Sequence, residues 1–188
     1  RLFGRVRNRG RAVEVRSEVL PPVGDGDVLV EALASAVSHG TEMLVYRGQV
    51  PPGFELDLPT LRGSFSFPIK YGYASVGRIA ARGSAVHELD MGDLVFVHHP
   101  HQSAYVVPAS MPIKLPEGVP PEHGAFLANL ETATNIVLDA APRLGERVAI
   151  FGQGVVGLLI TQLLLRTGAS RVIAVEPVED RRRLGERF

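Results

Sequence analysis

Residues 147–176 read RVAIFGQGVVGLLITQLLLRTGASRVIAVE, and the fold is decided there. Residues 147–151 form a short apolar run with β-branched members that stops on Gly152. Glycines follow at Gly152, Gly154 and Gly157, a G-x-G-x-x-G spacing, and a nearly continuous apolar run covers 155–165. That run is long enough for three helical turns and meets a stop at Gly168. A second β-branched run, 171–175, ends on Glu176. Strand, glycine turn, helix, strand and acid, in that order, predict a βαβ unit of the dinucleotide-binding type.

Each part has a physical task. Gly152 permits the tight turn, Gly154 lets a pyrophosphate approach the backbone, and Gly157 lets the helix pack closely. The amides of Val155 and Val156 then face the phosphates with the helix dipole behind them. Glu176 lies about 20 residues past the last glycine, where an acid accepts hydrogen bonds from the ribose hydroxyls. A carboxylate there repels a 2′-phosphate, so NAD is favoured over NADP. Pro177 follows in place of a basic residue. Of the nearby arginines at 181–183, Arg181 is the candidate contact to the adenosine ribose, and a solvated helix face is the competing reading.

Composition bounds the rest. The 188 residues carry 20 basic and 20 acidic side chains, which gives no electrostatic case for nucleic acid or an anionic membrane surface. There is no cysteine, hence neither disulfide nor thiolate metal site. The apolar share of 45% supports a real core, and 14 prolines with 20 glycines imply many turns. No signal peptide opens the chain, and the 155–165 helix is too short to span a bilayer. The expectation is a soluble, cytoplasmic protein. The chain begins on Arg1 and stops at Phe188 inside a helix predicted from about Val178. With only two strands in the parallel sheet, it reads as a piece of a longer protein.

Residues 1–125 have a different texture. Strand-like runs occur at 13–19, 28–37, 75–81, 94–97, 104–107 and 113–115, with a short helix at 42–46. Residues 49–68, rich in proline and glycine, predict a long exposed loop. Many short strands with turn signals indicate an irregular β-barrel. From Pro121 the pattern turns helical through 125–140, so the expected domains are 1–125 and 126–188.

A barrel of this size, a helix and then a Rossmann unit resemble the medium-chain dehydrogenase/reductase superfamily, which contains the alcohol dehydrogenases and quinone reductases. Gly26-Asp27-Val28-Leu29-Val30 resembles its strand into the active-site loop. Tyr71-Gly72-Tyr73-Ala74-Ser75-Val76-Gly77 resembles its G-H-E-x-x-G segment, and Met91-Gly92-Asp93-Leu94-Val95 its G-D-x-V turn. Leu115-Pro116-Glu117-Gly118 and Leu144-Gly145-Glu146-Arg147-Val148 resemble its approaches to the nucleotide fold. The resemblance implies a GroES-like catalytic domain, then a truncated Rossmann domain lacking its later part, and a small-molecule substrate. Family members are often dimers, which leaves a homodimer open for the full-length protein.

The departures bear on chemistry. Where zinc-dependent members place three ligands, this chain matches Ser38, Tyr73 and Ala128, and a three-residue slip brings Glu131 to the third position. No zinc is therefore expected. The Ser-x-Gly-Thr-Glu loop at 38–42 resembles a zinc-lacking branch that includes the bacteriochlorophyllide dehydrogenases.

Without zinc, a carbonyl must be polarised and a proton supplied by a phenol or hydroxyl. Tyr73 and Tyr46 are the catalytic candidates, against readings as space filler and barrel packing. Thr41 and Thr132 are candidates for the nicotinamide end, against capping their helices. Of His98, His99 and His101, a strand would put His99 and His101 on one face with no third ligand, so the segment reads as a solvent-facing loop, and His39 reads as exposed. The expected function is zinc-independent, NAD(H)-dependent hydride transfer involving an alcohol/carbonyl pair or an activated double bond. Two alternatives stay open: a non-catalytic nucleotide-binding module, and a zinc enzyme with atypical ligands including Glu131 and His39.

Overall fold

The computed structural model describes residues 2–6, 11–51, 54–58 and 61–188. The chain divides into two compact units, Arg1–Phe126 and Leu127–Phe188.

The first unit is built from short strands. They are β1 (Leu2–Val6), β2 (Val13–Ser17), β3 (Asp27–Ser35), then helix α1 (Thr41–Arg47), β4 (Glu55–Leu58), β5 (Leu61–Ser64) and β6 (Ile69–Lys70). After them come β7 (Ser75–Arg82), β8 (Leu94–Val97), β9 (Ala104–Pro108), β10 (Ile113–Lys114) and the single turn α2 (Pro121–Gly124). An antiparallel five-stranded sheet has the order β10-β8-β7-β3-β9, and a three-stranded sheet the order β2-β1-β6. Register shifts between β3 and β7 at Leu29/Val30 and Ala32/Ala34 bend the larger sheet.

Alternation explains the core. Val28 and Val30 on β3 are fully buried on one face, whereas β8 is covered on both faces, its adjacent Val95 and Phe96 both fully buried. Val28, Val30 and Val95 join Ile79, Val86, Leu89, Val97, Tyr105 and Val107 in the main cluster. A smaller cluster joins Val45 of α1 to Leu56, Ile69 and Tyr71.

Two expectations fail here. The stretch 49–68 is not one exposed loop: β4 and β5 pair within it as a hairpin. The alternation Glu55-Leu56-Asp57-Leu58 overrides the surrounding prolines and glycines, and Leu56 is buried in the smaller cluster. The histidine segment is not simply solvent-facing either. The His99 ring stacks on Tyr105 with centroids 3.6 Å apart, and its Nδ1 lies 2.9 Å from the Pro100 carbonyl. The Tyr105 hydroxyl in turn donates to the buried Ser75 Oγ at 3.0 Å.

The second unit begins with α3 (Leu127–Ala140) and continues through β11 (Arg147–Phe151), α4 (Val155–Leu164), β12 (Arg171–Val175) and α5 (Glu179–Gly185). β11 and β12 pair in parallel, in register from Arg147↔Arg171 to Phe151↔Val175. α3 packs on α4, and α4 on both strands. The base of the unit is tied by Gly145 N–H to the Gly168 carbonyl (2.7 Å) and Ser170 N–H to the Glu146 carbonyl (2.8 Å).

Burial pulls the His99 ring from its ordinary 6.5 down to about 4, with Lys70 adding to the effect. Unfolded, the ring titrates near its ordinary value, so the unfolded chain binds the extra proton between those limits. Stability from the neutral ring is complete above about pH 6.5 and is lost as pH falls towards 4, by about 3 kcal/mol in all. The thermal midpoint should fall on acidification from pH 7 to about 4.5, and His99→Phe should flatten that fall. A variant with an unchanged pH profile would remove His99 as its source.

Candidate functional site

The glycine turn follows from its backbone. Gly152 has φ +96°, a left-handed conformation natural only to glycine. A Cβ on Gly157 would lie 2.0 Å from the Gly152 carbonyl oxygen, so the close approach is between α4 and the turn itself. Around Gly154 the space is open, with no heavy atom within 4 Å of where its Cβ would sit. The first helical bond of α4 runs from Leu158 N–H to the Gly154 carbonyl at 2.9 Å. The amides of Val155, Val156 and Gly157 precede it and have no intrahelical acceptor. No side chain caps them. This is an anion cradle with room above it, and its shape fits a pyrophosphate.

Glu176 has a task that sequence reasoning missed. Its Oε2 accepts the Gln153 N–H at 2.7 Å and its Oε1 accepts the Val178 N–H at 2.8 Å. The residue is 8% exposed. The bond from Gln153, then that from Val178, holds the carboxyl below its ordinary pKa, with Arg181 and Arg182 contributing. The acid at the end of β12 thus pins the turn after β11 to the start of α5. Gln153, 1% exposed, fills the space beneath, its Oε1 lying 3.2 Å from the Thr161 hydroxyl. A Cβ on Gly185 of α5 would stand 3.1 Å from that same oxygen. Arg181 is exposed, while Arg182 donates to the Glu176 carbonyl at 3.2 Å.

On the barrel unit, the candidates separate. Tyr73 is half-buried, and among the described residues its hydroxyl has no hydrogen-bond partner. Its carbonyl lies 3.1 Å from His98 Nδ1. The Tyr46 hydroxyl donates to the Arg11 carbonyl at 3.0 Å, and the Arg11 N–H returns to the Tyr46 carbonyl. That clasp engages the phenolic proton and ties the segment before β2 to α1. Thr41 opens α1, is exposed, and makes no cap. Thr132 donates to the Ala128 carbonyl at 3.1 Å within α3, so it does not cap the helix start.

The donor set does not suit zinc. Ser38 Oγ accepts the Gly40 N–H at 3.3 Å, Ala128 carries no donor, and Glu131 and His39 are exposed. Among the described residues, no three His, Cys, Asp or Glu side chains come close enough to hold a metal ion. No described helix is long and apolar enough to cross a membrane.

Comparison with known proteins gives the same architecture. No family model matches the chain. D-xylulose reductase A of Aspergillus niger is 31% identical over 140 residues, covering 58% of this chain and 39% of the relative. L-threonine 3-dehydrogenase of Thermococcus kodakarensis is 27% identical over 198 residues, covering 89% of this chain and 53% of the relative. Galactitol-1-phosphate dehydrogenase of Escherichia coli superposes with a TM-score of 0.80 at 21% identity, over 100% of this chain and 59% of that one. The chain thus spans about half the length of the curated relatives it matches. Together these likenesses support the medium-chain dehydrogenase/reductase superfamily, alcohol dehydrogenase-like, with a GroES-like barrel unit followed by a Rossmann-type unit.

If Glu176 pins the turn, Glu176→Gln should loosen it before any ligand is added. An amide has one oxygen to offer, so its NH₂ would face one of the two backbone donors. Amide hydrogen exchange at Gln153 or Val178 should then accelerate about tenfold or more, as for loss of a charge-assisted bond. Unchanged protection at both amides would contradict the pinning role.

Proposed function

We propose that this chain forms the barrel and nucleotide-binding units of an NAD(H)-dependent oxidoreductase that acts on a small molecule without zinc. The reaction class is hydride transfer involving an alcohol/carbonyl pair or an activated double bond. The observation that carries this reading is the glycine turn, with open space above Gly154 and unbonded amides at Val155 and Val156. A nicotinamide cofactor, when bound, supplies or accepts the hydride, and the dehydrogenase relatives support that chemistry.

The chain's own residues bind and orient. Val155 and Val156 donate to the pyrophosphate, with the α4 dipole reinforcing them. Each Glu176 oxygen accepts one backbone N–H and keeps a second lone pair for a ribose hydroxyl, and its charge disfavours a 2′-phosphate. Arg181 flanks the adenosine end. Thr41 and Thr132 serve the nicotinamide end, Thr132 through the lone pairs its own donated bond leaves free. Tyr73, with an uncommitted hydroxyl, is the proton donor or acceptor for the substrate oxygen. A phenol with a free hydroxyl can carry this proton chemistry in place of a metal.

A fluorescence titration with NADH and NADPH tests this. The expected result is saturable binding of both, several-fold tighter for NADH, with the preference lost in Glu176→Gln. Absence of binding by the folded chain would contradict the nucleotide-binding reading. A preference for NADPH would mean that Arg181 overrides Glu176.

A further inference from the structure

Three polar side chains distant in sequence meet on the barrel unit. Ser35 ends β3, Glu42 lies in the first turn of α1, and His101 follows β8. The Ser35 hydroxyl contacts His101 Nδ1, and His101 Nε2 lies 2.8 Å from Glu42 Oε2. Burial is graded along the line: Ser35 is exposed, the His101 side chain is 25% exposed and that of Glu42 10%. The histidine is fixed on its other sides. Its N–H donates to the Tyr71 carbonyl at 3.3 Å, and a Cβ on Gly72 would stand 2.8 Å from its Cδ2.

Glu42 decides the tautomer. An ionised carboxylate only accepts, so Nε2 carries the proton and Nδ1 turns its lone pair to the Ser35 hydroxyl. Glu42 Oε1 is buried with no hydrogen-bond partner. A positive charge on the ring would give this carboxylate compensation that nothing else described provides. Tyr71, which feels the Glu42 charge, adds no competing charge, because burial and Glu42 push its pKa up to about 12.

We propose that Ser35, His101 and Glu42 form a second chemical centre, in which an activated serine hydroxyl attacks small, activated carboxylic esters. Hydroxyl, imidazole and carboxylate in this order activate a nucleophile wherever the geometry recurs. Ser35 Oγ bonds to the ester carbonyl carbon while its proton passes to His101 Nδ1. As the ester C–O bond breaks, that proton goes to the departing oxygen and an acyl-serine remains. Water then attacks the acyl carbon, releases the acid and restores the hydroxyl. The centre is slow by construction. The Ala74 carbonyl, 3.1 Å from Ser35 Oγ, competes for the hydroxyl proton and also holds the Ala36 N–H at 3.0 Å. That amide is committed and cannot stabilise an oxyanion, so near-stoichiometric acylation is expected in place of rapid turnover.

The test treats the chain with a fluorophosphonate, which loses fluoride on attack, and with p-nitrophenyl acetate, and maps the adducts by mass spectrometry. Modification should fall on Ser35 and spare the half-buried Ser38. It should vanish in Ser35→Ala and slow about tenfold or more in His101→Gln and Glu42→Gln. Absence of an adduct on Ser35 in the unmodified chain, or labelling of Ser35 no faster than Ser38, would overturn the proposal. That adduct map needs no variant, so it stands whether or not the variants fold. NADH binding is read separately, so either proposal can fail alone.

Discussion

The second unit depends on one carboxylate. Glu176 accepts two backbone N–H bonds, from Gln153 on the turn after β11 and from Val178 before α5. A two-stranded parallel pair has little to hold its connecting turns, and a glycine turn adds conformational freedom of its own. Charge-assisted bonds from one buried acid remove that freedom at both strand ends. Gln153 completes the device: bonded to the Gly152 carbonyl and close to Thr161, it fills the floor of the turn. The amides of α4 are thereby left pointing into open space above Gly154. The proposed anion site would rest on amides the turn cannot satisfy internally, held in place by an acid more than 20 positions away.

The barrel unit solves a different problem, placing polar groups inside a largely aliphatic core. Tyr105 and His99 stack, with their polar ends turned to Ser75 and to the Pro100 carbonyl. Burial therefore holds His99 neutral. Glu42 is the exception: one oxygen pairs with His101 and the other pairs with nothing described. An acid buried on one partner is held at a cost, and the proposed reactive hydroxyl lies at the open end of that same chain of bonds.

Much of the fold was legible in sequence because its signals are local. The limits of β8, β11 and β12 follow from β-branched runs closed by glycine or a polar turn, and α4 starts where the third-position glycine spacing allows. The β4–β5 hairpin was hidden, since four alternating residues are outvoted by the prolines and glycines around them. The candidate site divides in the same way. Gly152 and Gly157 announce themselves by residue type, and their conformations need glycine. Side-chain commitments are not local. Nothing near Tyr46 in sequence indicates that Arg11 takes its hydroxyl, and the 59 positions between Glu42 and His101 conceal their pairing. The two backbone bonds of Glu176 were the nearest to visible, because an acid one residue before a proline and three before a helix suits a local side-chain turn.

The central claim is that the Glu176-pinned turn presents its free amides to a dinucleotide. The most direct measurement is a backbone amide NMR titration of the chain with NADH. The account predicts saturable shifts at Gly154, Val155, Val156 and Gly157, with Gln153 staying protected on Glu176 throughout. Saturable binding that leaves those amides unmoved, or no binding by a folded chain, would contradict it.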